Sequence, residues 1–169
     1  CGRIDQLKNA IDLIQNDPTS RRIIVSAWNP ADMDKMALPP CHMMFQLLVN
    51  TEQKTLSMCM YQRSCDMFLG IPFNIASYAL LLELIAMVTG LEAKKLTMFL
   101  ADVHIYQNHL AQVQEQLQRP THKLPLLHLN CDIIKRSSDV IRQLELIQPD
   151  DIQLVNYKHE DAIKAEMAV

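Results

Sequence analysis

Apolar residues fall at Ile4, Leu7, Ile11 and Ile14, a spacing that predicts a helix, which Asn16-Asp17-Pro18 then stops. The stretch "RRIIVSAW", Arg21 to Trp28, is short and rich in β-branched residues and predicts a strand. "NPADMDKMAL" follows as a loop or a short helical turn. From Cys41 to Val49 and again from Thr55 to Arg63 the chain is nearly unbroken in its apolar character. Joined by the polar "NTEQK", these runs predict an antiparallel pair buried on both faces. "SCDMFLGIP" is a loop, and Phe73 to Thr89 is the longest predicted helix, closed by Gly90 at its carboxyl end. "KLTMFLADVHIY" predicts a strand, and Gln107 to Gln118 a helix ended by Arg119-Pro120. Beyond that point the chain is more polar, with strands expected near Leu124–Leu129 and Ile152–Tyr157, a mixed stretch between them, and a tail. Repeats and low-complexity segments are absent, and strands and helices mix without a strict βαβ order. An α+β fold is expected, as a single domain over residues 1–169.

Composition narrows the functional classes. Hydrophobic residues make up 49% and charged residues 21% of the chain, the balance of a globular protein and not of a disordered one. A formal charge of −3 argues against nucleic-acid binding by bulk charge, though not against a local cationic pocket for one small anion. The longest apolar run, Ile75 to Val88, is interrupted by Ser77 and Glu83 and falls short of the roughly 18 residues a membrane span needs. It reads as a core helix of a soluble protein. Five cysteines (Cys1, Cys41, Cys59, Cys65 and Cys131) without CxxC spacing favour free thiols in a reducing compartment over a disulfide framework or a zinc site. No signal peptide is evident, and a cytoplasmic location is expected.

Several residues carry possible chemistry. Cys41 stands where the rigid Pro39-Pro40 corner turns into an apolar strand. As a nucleophile it would need a nearby cation; as a small apolar residue it would simply pack. His42 is expected on the opposite strand face, out of easy reach of that thiol. "SRR" (Ser20 to Arg22) opens one strand and "YQRSCD" (Tyr61 to Asp66) closes another. An arginine fork beside a hydroxyl at a strand end suits a phosphate, and equally suits solvated surface. Asn74, at the start of the long helix, could cap it. Its amide could also read a base edge that pairs an N–H with a carbonyl, as uracil does. His104 and Tyr106, two apart on a strand, share a face and could bind sugar hydroxyls, or could be half-buried residues with local partners. His104 and His109 are wrongly spaced for a shared metal on a helix, and there is no HExxH.

Taken in order, "SRRIIVSAWNP", "MALPPCHMMFQ", "YQRSCDMFLGIPFNIASYALL", "DVHIYQNH" and "IKAEMAV" resemble thymidylate synthase, from "GRIDQL" to Val169. The resemblance implies an α+β fold with a mixed, mainly antiparallel sheet, one face of which forms a homodimer. It implies conversion of deoxyuridine monophosphate (dUMP) and 5,10-methylenetetrahydrofolate, as cosubstrate and with no metal, to thymidine monophosphate (dTMP) and dihydrofolate. Cys41 would be the nucleophile that adds to C6 of the pyrimidine. Arg63, Ser64 and Cys65 would lie at the nucleotide, with Arg63 also favouring the Cys41 thiolate. Arg21 and Arg22 would reach into the partner's site. Asp66 would contact the pterin and the network that recognises the base, Asn74 would read the uracil edge, and His104 with Tyr106 would bind the deoxyribose 3′ hydroxyl. Leu38, Leu69, Gly70 and Phe73 would line the folate side, over which Ala168 and Val169 would close.

Two features depart from the family pattern. The match begins well inside it, so part of the usual site is expected from sequence upstream of Cys1 or from another chain. "YKHEDAIK" (Tyr157 to Lys164) replaces the usual "PHP" before the tail, and valine replaces threonine in "ADVH". Two alternatives therefore stand beside the synthase reading. One is a dUMP hydroxymethylase, in which water captures the methylene intermediate. The other is a nucleotide-binding chain without turnover.

Overall fold

The structure is a computed structural model that describes residues 4–167. Helix α1 spans Gln6–Asn16, entered through Asp5, whose carboxylate accepts from the Lys8 amide. Strand β1 is Ile24–Ser26, only part of the run expected from Arg21 to Trp28. A 3₁₀ turn over Pro30–Lys35 leads through the Pro39-Pro40 corner to β2 (His42–Asn50), and β3 follows as Thr55–Asp66. Helix α2 is Ile71–Thr89, with Pro72 in its first turn. Gly90, at φ 70°, closes it in the left-handed conformation that glycine adopts without penalty. Strand β4 (Glu92–His104), a 3₁₀ turn over Gln107–His109 and α3 (Leu110–Gln118) come next. The polar remainder holds β5 (Leu126–Leu129), α4 (Val140–Glu145) and β6 (Ile152–Val155).

Four strands form one sheet in the order β1-β2-β3-β4, and β5 pairs with β6 in a small second sheet. The β1/β2 and β2/β3 pairs are antiparallel, whereas β3 and β4 are parallel and joined by α2. The sheet is therefore mixed and mostly antiparallel, in an α+β arrangement.

The core lies on one face of this sheet. Phe45, Leu47, Leu56, Met58 and Met60 pack against Ala10, Ile11 and Ile14 of α1 and Leu82, Ile85 and Ala86 of α2. Each large apolar side chain so buried contributes about 1.5–3 kcal/mol. The other face corrects the expectation that β2 and β3 are buried on both sides. Met44, Leu48 and Tyr61 face outward, and Phe99 of β4 is 61% exposed. An apolar run cannot distinguish a strand covered on both faces from one whose second apolar face is open in the single chain.

Helix α2 brings a second correction. It is long and apolar enough, by length and composition alone, to cross a membrane. Ser77 and Glu83 had made the run look shorter. In the fold its Leu82, Ile85 and Ala86 sit in the core beneath the sheet.

Candidate active site

At the carboxyl end of β3 the sheet, the Pro39-Pro40 corner and the start of α2 enclose a cavity of about 460 Å³. The corner contributes Leu38, Pro39, Pro40 and Cys41; β3 contributes Gln62, Arg63, Ser64 and Asp66. Gly70 and Asn74 enter from the helix side, and His104 and Tyr106 from the end of β4. A larger space of about 710 Å³ beside the end of α2 is lined by Leu91, Leu126, Leu127, Glu83 and Glu92, among others. Its lining residues include no lysine, arginine, asparagine or glutamine, and burial, then the neighbouring Glu92, push the Glu83 carboxyl up. The candidate chemical groups gather in the smaller cavity.

Arg63 holds the wall that carries the thiol. Its Nε donates to the Pro40 carbonyl at 3.1 Å and its Nη2 to the Pro39 carbonyl at 2.7 Å. Its backbone N–H donates to the Cys41 carbonyl at 2.8 Å. The guanidinium also lies 6.0 Å from the centroid of the Trp28 ring. Two of its five N–H groups serve the corner; the others remain for an anion. Cys41 is half-buried at this rim as a free thiol.

Asn74 does not cap α2. It lies within the first turn, and its Oδ1 accepts from Gln62 Nε2 at 3.0 Å. Because an amide nitrogen can only donate, this contact fixes the orientation of Asn74, leaving its NH₂ and one lone pair of Oδ1 for a ligand. Gln62 also donates to the Ser64 carbonyl at 3.0 Å, while its own Oε1 is buried without a partner. Asp66 Oδ1 accepts from the amides of Phe68 and Leu69, which folds the loop into α2 and leaves its second oxygen uncommitted by that turn. A Cβ at Gly70 would meet the Asp66 carbonyl at 3.0 Å, so a larger residue here would require the backbone to give by a few tenths of an ångström.

His104 and Tyr106 both line the cavity, their rings edge to face with centroids 5.0 Å apart. The His104 Nδ1 lies 3.2 Å from the Asp102 carbonyl, which can only accept. The proton thus sits on Nδ1, and a neutral His104 presents Nε2 as an acceptor.

Cys41 and His42 share this cavity, contrary to the expectation that they face opposite ways. A bulge is the reason. His42 pairs with Gln62 and Met44 with Tyr61, which leaves Met43 as an extra residue. The insertion turns His42 to the inner side, as bulges beside functional sites often do. Its Nδ1 meets the Tyr78 hydroxyl at 2.9 Å, so its partner is a tyrosine and not the thiol.

Other expected site residues lie elsewhere. Cys65 is fully buried, one residue on from Ser64 and on the other side of the strand, with Sγ 3.8 Å from the Gln62 carbonyl. Burial pushes its thiol pKa up, and its side chain does not line the cavity. Arg21 and Arg22 are exposed ahead of β1 and do not line the cavity of their own chain. The Arg21 carbonyl accepts from Gln46 Nε2 at 3.2 Å, tying that segment to β2. Leu69 and Phe73 face a separate space of about 600 Å³, bounded also by Tyr157, Ile163 and Arg119. Ala168 and Val169 lie outside the described residues. Among those described, no three His, Cys, Asp or Glu side chains could together hold a metal ion.

Gln62 and His42 belong to the site but not to the set read from sequence. Gln62 had a signal: it continues the inward parity of Leu56, Met58 and Met60 with a polar side chain. His42 had none, because a bulge is invisible to strand alternation.

Compared with known protein families, the whole chain, residues 1–169, matches the family described as thymidylate synthase.

Proposed function

The chain belongs to the thymidylate synthase family, and on that premise we propose that it converts dUMP and 5,10-methylenetetrahydrofolate to dTMP and dihydrofolate. The observation that carries this reading is the convergence on one cavity of the Cys41 thiol, the Arg63 guanidinium and the oriented amide of Asn74.

In this reading Arg63 and Ser64 hold the phosphate, while His104 and Tyr106 hold the sugar. The Asn74 NH₂ donates to the carbonyl at C4 of uracil, and its Oδ1 accepts from N3–H. Cytosine, with an amino group at C4 and no proton on N3, would meet a donor with a donor and an acceptor with an acceptor. Cys41 adds through sulfur to C6, and the electron pair of the ring double bond moves toward C5, which then bonds to the one-carbon unit of the folate. Loss of the C5 proton expels the folate nitrogen from the one-carbon unit, and hydride from the released tetrahydrofolate then adds to the resulting exocyclic methylene as the thiolate leaves C6, giving the methyl group and dihydrofolate. Leu38 and Gly70 offer surface at the cavity suited to a flat folate ring, while Leu69 and Phe73 line the separate space of about 600 Å³, where another part of the folate would lie. Asp66 would accept a hydrogen bond from the pterin through its uncommitted oxygen.

The exposed apolar face of Met44, Leu48, Tyr61 and Phe99 supports a homodimer in which Arg21 and Arg22 reach the partner's phosphate. We read the protein as a soluble cytoplasmic enzyme, with its catalytic domain spanning residues 1–169.

Incubation with dUMP labelled in the ring and with methylenetetrahydrofolate tests the reaction. Labelled dTMP together with dihydrofolate supports the synthase. Hydroxymethyl-dUMP with tetrahydrofolate, or binding without product, overturns it. Mixing Arg21→Ala with Cys41→Ser tests the shared site. Hybrid dimers should regain part of the activity, and a mixture that stays inactive despite subunit exchange removes Arg21 from the partner's cavity.

A further inference from the structure

Tyr78 is not among the residues that line the cavity, yet among the described residues it makes the one polar side-chain contact of His42. Its hydroxyl lies 2.9 Å from His42 Nδ1, and the two rings stand edge to face with centroids 5.5 Å apart. A second edge-to-face contact, at 5.9 Å, packs the Tyr78 ring on Phe45 of the core. Tyrosine is thus held by the core, and the histidine that touches it is held by the bulge at Met43, directly across from Gln62.

We propose that Tyr78 is a positioning residue that fixes His42 as an N–H donor at the cavity. The phenol donates to Nδ1, so the imidazole proton is confined to Nε2, the nitrogen left for a ligand. Burial pushes the Tyr78 pKa up, which keeps the phenol protonated and able to donate through the neutral and mildly alkaline range. The Gln62–Asn74 contact works in the same way on the neighbouring reader: an outer side chain occupies one end of a two-faced group, and the other end faces the ligand with defined polarity. Two N–H donors, Asn74 Nδ2 and His42 Nε2, then stand at the cavity. They suit an acceptor-bearing ring edge, and they suit it better as negative charge grows on the carbonyl oxygen while sulfur adds to the ring.

This inference rests on reading the cavity as a pyrimidine nucleotide site, but its first test needs no turnover. The ¹⁵N shifts of the His42 ring in the neutral state report which nitrogen carries the proton. The intact chain should show the Nε2–H form, and Tyr78→Phe, which keeps the ring and its packing, should move His42 to a mixture of both tautomers. With dUMP and methylenetetrahydrofolate the same variant should lose about tenfold in kcat while the Kd for dUMP stays within about twofold. Replacing Phe45 with leucine should leave the tautomer unchanged, which separates the hydroxyl from ring packing. An Nδ1–H proton in the intact chain, or a tautomer indifferent to Tyr78→Phe, overturns the proposal even if the enzyme is active. A tautomer that responds while kcat does not overturns the catalytic half. A tautomer that responds in a chain without turnover supports the positioning and counts against the reaction instead.

Discussion

Two arginines, Arg63 and Arg136, are each partly exposed and tied to backbone carbonyls, yet they do opposite work. Arg136 forks onto Asp151, with Nη1 at 2.6 Å from Oδ2 and Nη2 at 2.5 Å from Oδ1, and also donates to the Leu146 carbonyl. Asp151, 5% exposed, accepts further from Asn130 Nδ2 and the Gln148 amide. That cluster joins the start of β6 to the turn after β5 and has little capacity left. The Arg63 guanidinium donates only to the carbonyls of Pro39 and Pro40 and pairs with no carboxylate among the described residues. A guanidinium neutralised by a carboxylate is a brace; one held by neutral carbonyls keeps its charge for a ligand. The same logic separates Asn74, whose NH₂ and one lone pair stay at the cavity, from Gln143, whose NH₂ is used twice on the carbonyls of Ile134 and Ser137.

The comparison can be broken first at the thiol that Arg63 supports. Cys41→Ser should lower kcat by on the order of 10⁴-fold or more and leave dUMP binding largely in place. Near-normal turnover in that variant would take Cys41 out of the reaction. Arg63→Lys keeps a charge but loses the planar fork. The Kd for dUMP should rise by about 100-fold, with no comparable change in the affinity for folate alone. Asn74→Asp should shift preference between dUMP and dCMP by at least about tenfold toward dCMP, read as a ratio of kcat/KM values. An unchanged ratio would deny that the amide reads the base edge.

The brace should respond differently. Asp151→Asn should leave KM for both substrates unchanged and lower Tm by about 5 °C at neutral pH. Its pH dependence carries a definite sign. Hydrogen bonds from Arg136, then from the Gln148 amide, hold the folded Asp151 carboxyl well below its ordinary value of 3.8. A depressed folded pKa means the contribution is complete above about pH 5 and fades as acidity passes below the unfolded value. The Tm difference between the intact chain and Asp151→Asn should therefore shrink as pH falls from about 5 toward 3. A difference that held constant over that range would show that the carboxylate charge is not what braces β6.

Much of this was legible in the chain because local physics and fold agree. The periodicity of Leu7, Ile11 and Ile14 placed α1, and Gly90 marked the end of α2 as its backbone requires. Strand ends were less legible. β1 shrank to three residues because it is an edge strand, paired only with β2 over Ile24–Ser26. β3 ran past Arg63 to Asp66 because β4 pairs with it in parallel along that length, a long-range contact with no local signature. Within the site, Cys41, Arg63, Ser64, Asp66, Asn74, His104 and Tyr106 were named from their motifs and share one cavity in the structure. The Cys65 side chain is buried and does not line that cavity, and a motif carries such a neighbour along whatever its side chain touches. His42 was hidden by an inserted residue that reverses parity, and Tyr78 looked like one more apolar residue of a long helix.

The central claim is that the Cys41 sulfur bonds to C6 of a pyrimidine whose C5 then takes the one-carbon unit. A dUMP analogue with fluorine at C5 tests it directly, since the proton that must leave is missing and the chain should stall with all partners joined. Mass spectrometry of the denatured protein, followed by peptide mapping, should find one nucleotide and one folate added together on the peptide that contains Cys41. An adduct on Cys59, Cys65 or Cys131 instead, or no adduct under conditions in which dUMP is turned over, would contradict it.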